Sequence, residues 1–113
     1  MVSRRIAHLI YDTAKKVRLT NNEIKIIKET AKNVFDKNVK VIIFGSRASL
    51  EKNGGDIDIL IKSSKQISVS DEIAFLAKLE LKGIQRKVDL LTITPKTKLK
   101  KIHADAISSG VEI

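Results

Sequence analysis

The sequence has no cysteine and no tryptophan, one proline, and an aromatic content of one Tyr and three Phe. The missing cysteine excludes disulfides, thiol nucleophiles and Cys-ligated zinc. A base-stacking platform needs interleaved aromatics, and Tyr11, Phe35, Phe44 and Phe75 are too few to suggest one. No apolar run approaches the roughly 20 residues of a membrane span. The apolar stretch near the start stops at Tyr11–Asp12, short of a secretory core of about 7–15 residues. The same segment is basic and amphipathic, as a transit peptide would be, but Asp12 and its apolar stripe fit a surface helix better. These features lead us to expect a soluble, cytoplasmic chain with no membrane association.

At 113 residues there is room for one small domain, expected to span 1–113. With 42% hydrophobic and 31% charged residues the chain can build a core. The net charge is +9, concentrated at the ends. Residues 1–18 carry Arg4, Arg5, Lys15, Lys16 and Arg18 against Asp12, and the C-terminal part carries Lys96, Lys98, Lys100 and Lys101 against Asp105 and Glu112. Such clusters are either solvated faces or a docking surface for an acidic protein or RNA, and charge alone does not choose.

Apolar spacing at Ile6, Leu9, Ile10, Ala14 and Val17 predicts an extra N-terminal helix within 1–18, ahead of a core over 20–113. Thr20 with Glu23 reads as a capping box opening a helix whose stripe is Ile24, Ile27, Ala31, Val34 and Phe35. Val39 to Phe44 is β-branched and nearly all apolar, the pattern of a central strand covered on both faces. Asp56–Ile61 reads as a second strand. Residues 70–81 read as a helix using Ile73, Leu76, Ala77 and Leu79–Leu81, stopped by Gly83, and Arg86–Ile93 as a third strand. Thr94-Pro95 predicts the start of a last helix, with Leu99, Ile102, Ala106 and Ile107 inward, then Gly110 as cap and a short edge strand over 111–113. The expected fold is α/β: a small mixed sheet of three to four strands with helices packed on it. His8 and His103 fall near apolar stripes and read as packing residues.

The chemical signal lies between residues 44 and 61. A strand runs into Gly45-Ser46; nine residues later comes Asp56-Ile57-Asp58. Gly45, without a Cβ, lets a phosphate approach the backbone. Ser46 adds a hydroxyl donor where a helix would begin and anions are favoured. Asp56 and Asp58, two apart on a strand, share a face with Cα atoms roughly 6.5–7 Å apart. That suits two carboxylates sharing a pair of Mg²⁺ ions about 3.5–4 Å apart. Asp89 lies between apolar neighbours in Lys87-Val88-Asp89-Leu90-Leu91, which suggests a buried or rim carboxylate, costly unless paired or metal-bound. Three carboxylates on neighbouring strands would repel one another until divalent cations relieve them.

Together, Phe44-Gly45-Ser46-Arg47-Ala48, Asp56-Ile57-Asp58-Ile59-Leu60 and Lys87-Val88-Asp89-Leu90-Leu91 resemble the minimal nucleotidyltransferases of the DNA polymerase β superfamily. The closing run Ile107 to Ile113 is similar to that family's helix–Gly–strand, so the resemblance covers about residues 20–113. Three features depart from the family pattern: the nine-residue linker is one shorter than usual, Leu50 stands where Gly is usual, and Gly55 stands where Ser is usual.

The resemblance implies the palm-like fold of that superfamily and a set of roles. Gly45, Ser46 and Arg47 would bind the nucleotide phosphates. Asp56 and Asp58 would ligate two Mg²⁺ ions. Asp89 would ligate the catalytic ion and help deprotonate the attacking hydroxyl. ATP would be the co-substrate and AMP the group moved. Many members are antitoxins paired with a HEPN-domain toxin, so such a toxin is the expected partner and acceptor, in an assembly with it or with a second copy. Two other classes stand beside this reading. One is an antitoxin on the same fold that neutralises by binding alone. The other is nucleic-acid binding without chemistry, which the few aromatics disfavour.

Overall fold

The computed structural model describes residues 19–44 and 56–113. The expected N-terminal helix with His8, the residues Gly45, Ser46 and Arg47, and the linker up to Gly55 lie outside the described residues. Helix α1 (Asn21–Val34) opens as its sequence requires. The Thr20 hydroxyl accepts from the Glu23 N–H at 3.0 Å, and the Glu23 carboxylate accepts from the Thr20 N–H at 2.9 Å. Strand β1 (Lys40–Phe44) follows, then β2 (Ile57–Lys62), α2 (Val69–Leu81), β3 (Val88–Ile93), α3 (Lys101–Ser109) and β4 (Val111–Glu112). Helix α2 starts on the Ser68 hydroxyl, which accepts from the Asp71 N–H. It ends in a Schellman motif: Ile84 N–H bonds the Leu79 carbonyl and Gly83 N–H the Glu80 carbonyl, with Gly83 at φ +110°.

The four strands form one sheet in the order β3-β2-β1-β4. β2 is antiparallel to β1 and parallel to β3, and β4 pairs antiparallel with the other side of β1. The sheet is therefore mixed, as expected. Alternation along the strands divides the core. Val41, Ile43, Ile57, Ile59 and Ile61 face α1 and α2, where Ile27, Phe75 and Leu79 complete the larger cluster. The Phe35 and Phe75 rings meet there with centroids 5.0 Å apart. Ile42, Leu60 and Ile93 face the other way, against Ala106 of α3, with Phe44 and Leu91 partly buried beside them. Burial on both faces explains why β1 and β2 read as nearly unbroken apolar runs.

Two expectations are corrected. The last helix begins at Lys101, not at Pro95. The Thr94 N–H donates to the Thr97 hydroxyl at 2.9 Å, and the Thr97 N–H to the Thr94 carbonyl at 3.1 Å, closing a turn with Pro95 at its second position. Starting six residues later, the short helix buries only His103 and Ala106; Leu99, Ile102 and Ile107 are exposed. In α2, Phe75 and Leu79 are buried, whereas Ile73 and Leu81, expected to supply core surface, are exposed. His103 is a packing residue as expected: it is buried and its Nδ1 accepts from the Lys100 N–H at 2.9 Å.

Candidate active site

The parallel register of β2 and β3 sets Asp58 directly beside Asp89, flanked by the pairs Ile57–Val88 and Ile59–Leu90. Those four apolar residues belong to the cluster under α1 and α2. Alternation therefore turns both aspartates to the opposite face, the one carrying α3. Adjacent strands lie about 4.8 Å apart, which brings the two carboxyls within reach of one another. Phe44, the last residue of β1, is the antiparallel partner of Asp58 on its other side. Asp56 comes two residues before Asp58 and one before the strand.

The two acids differ. β2 is a central strand, and Asp58 is partly buried there. Its carboxyl is held above the ordinary carboxylate range. Burial is the largest cause, followed by the charge of Asp89, a hydrogen bond with Asp89, and the charge of Asp56. β3 is an edge strand, and Asp89 has a 52% exposed side chain with Lys87 Nζ 4.0 Å away. Its apolar sequence neighbours had suggested a buried or rim position. It stands at the rim, and the burial penalty falls on Asp58 instead. Arg86, just before β3, pairs with Glu23 at 3.6 Å.

Among the described residues no group of three or more His, Asp or Glu side chains is gathered to hold a metal ion. Mg²⁺ does not demand such a cage. It keeps several waters and is commonly bound by one or two carboxylates plus the substrate's phosphates. Asp58 and Asp89, hard oxygen donors set side by side, fit that mode.

A family model described as Polymerase beta, Nucleotidyltransferase matches residues 10–113. The chain belongs to this family. The match starts ten residues before the point where the sequence resemblance begins, so part of the segment expected to be an extra helix falls inside the family domain. No curated protein matches the chain. Membership makes the protein a nucleotidyltransferase-fold chain of the transferase kind, and the three helices and four-stranded mixed sheet of the described residues accord with it. No helix among the described residues is long and apolar enough to cross a membrane.

Sequence reasoning found the acids but missed the asymmetry between them. The available signal was strand position: the continuous apolar run Ile59-Leu60-Ile61 marks a central strand, whereas Lys87 and Thr92 around Asp89 suit an edge.

Proposed function

We propose that the chain transfers a nucleoside monophosphate, AMP from ATP, to a hydroxyl on a partner protein, and that it serves as the antitoxin of a HEPN/MNT pair. The observation carrying this reading is the side-by-side placement of Asp58 and Asp89 on neighbouring parallel strands, with Asp56 close enough to influence Asp58. The oxygen of the acceptor hydroxyl attacks the α-phosphorus in line, the bond to the bridging oxygen breaks, and pyrophosphate leaves. Two Mg²⁺ ions, when bound, would neutralise phosphate charge and orient the triphosphate, held by Asp56, Asp58 and Asp89. Asp89, exposed at the rim, is accessible to an incoming hydroxyl and would take its proton. Gly45, Ser46 and Arg47 would hold the phosphates.

A second reading, an antitoxin that acts by binding alone, is favoured by the Lys87–Asp89 ion pair and by the shortened stretch between Ser46 and Asp56. One experiment separates the two. The chain is incubated with Mg²⁺ and lysate of its own cells, with ATP labelled at the α- or the γ-phosphate, beside Asp58→Asn and Asp89→Asn. Label entering a protein band from α-ATP only, and lost in both variants, is the expected result. Full transfer by either variant refutes the carboxylate mechanism. No transfer, in a lysate holding the partner, leaves binding alone.

A further inference from the structure

The segment between β3 and α3 has features that the carboxylate site does not use. From Pro95 to Ile102 it carries Lys96, Lys98, Lys100 and Lys101 with no acidic residue among them. All four lysines are exposed, and among the described residues none forms an ion pair. Two large apolar side chains stand between and beside them, Leu99 at 69% and Ile102 at 52% exposure. The segment is not a loose tether: the paired Thr94–Thr97 hydrogen bonds fix its start, and the Lys100–His103 bond fixes its end. It leads into α3, which packs on the same sheet face as Asp58 and Asp89. Ile93 lies four residues beyond Asp89, about 13 Å along β3.

We infer that Lys96–Ile102 is a docking surface for an acidic, apolar-anchored segment of the acceptor protein, with the lysines meeting carboxylates and Leu99 and Ile102 covered by apolar side chains. Four exposed cations with no ion pair among the described residues call for an anionic occupant. The two exposed aliphatic residues favour a protein, because apolar anchors give peptide recognition its specificity. RNA would seek aromatic platforms, and residues 88–113 contain no aromatic. A lipid surface would seek an amphipathic helix, and residues 95–100 form a turn and coil. The inference rests on the transfer reading only for the identity of the occupant as acceptor; the docking itself stands apart from it.

The test is binding to the full-length chain, read by amide NMR shifts. The probe is a synthetic Glu-rich peptide carrying two leucines. Poly-Glu, poly(A) RNA and phosphatidylserine vesicles serve as comparisons. The expected result is saturable peptide binding with shifts confined to the Lys96–Ile102 segment and α3. Affinity should fall tenfold or more, about 1.4 kcal/mol, in Lys98→Glu/Lys100→Glu, and also in Leu99→Ser. Asp89→Asn should bind the peptide unchanged, so loss of transfer and loss of docking are read separately. Peptide binding that ignores the lysine reversal, no saturable binding, or tighter binding to poly-Glu, RNA or vesicles overturns the inference. All the substituted side chains are exposed, and unchanged spectra elsewhere show that the variants fold.

Discussion

The two faces of the sheet are built differently. Among the described residues, the face under α1 and α2 holds thirteen buried apolar residues in one cluster; the face under α3 holds four, with Asp58 and Asp89 beyond them. The first face stabilises the domain, and its packing leaves nothing reachable from solvent along the middle of the sheet. The second is covered by a nine-residue helix, which leaves the acidic end of β2 and β3 accessible. One strand serves both: Ile57, Ile59 and Ile61 are locked into the closed face, which fixes Asp58 on the open one. The rigidity of one face therefore supplies the positioning of the other.

Substitutions can break this contrast. Phe75→Ala, at the centre of the closed face and fully buried, should cost about 3–5 kcal/mol in a urea melt and should remove the Phe35 ring contact. Gly110→Ala tests how tightly the last turn of α3 sits on β1. The added methyl would meet the Ala106 carbonyl and the Ile42 side chain, and backbone cannot move aside as a flexible side chain can. A loss of about 1–3 kcal/mol is expected by the same measurement. Thr20→Ala removes one half of the α1 capping box and should cost about 1 kcal/mol.

Asp58→Asn should act with the opposite sign. The folded chain holds the Asp58 proton more tightly than the unfolded chain does. Between the ordinary carboxylate range and the raised folded value, the folded state therefore binds more protons, and stability falls as pH rises through that interval. Below the ordinary range both states are protonated and the full stability is present. Thermal melts of the metal-free protein across this interval should show the decline, and Asp58→Asn should flatten it. A wild-type stability that rises with pH there would contradict the upward displacement of the Asp58 carboxyl.

Much of this contrast was legible in the residues. The capping box, the three longer strands, α2 and the edge strand after Gly110 follow from local patterns that tertiary packing leaves unchanged. The start of α3 did not, because Thr94-Pro95 serves equally well as a helix N-terminus or as a turn, and the pairing of Thr94 with Thr97 decides for the turn. Exposure of Ile73 and Leu81 was equally hidden: apolar residues surround much of α2, and only the placement of α1 and the sheet selects Phe75 and Leu79 as the inner pair. For the site, the spacing identified the acids and their shared face. Which of them would be desolvated depended on strand order, which places β2 inside and β3 at the edge.

The most direct test of the carboxylate site is paramagnetic relaxation by Mn²⁺, added in place of Mg²⁺ with a nonhydrolysable ATP analogue, read on the backbone amides. Broadening centred on Asp58 and Asp89 and on the neighbouring Ile57, Ile59, Val88 and Leu90, leaving α1 and the far end of α2 sharp and abolished by Asp58→Asn, is the predicted result. Broadening centred elsewhere, or unchanged in Asp58→Asn, would contradict the assignment of this acid pair as the catalytic centre.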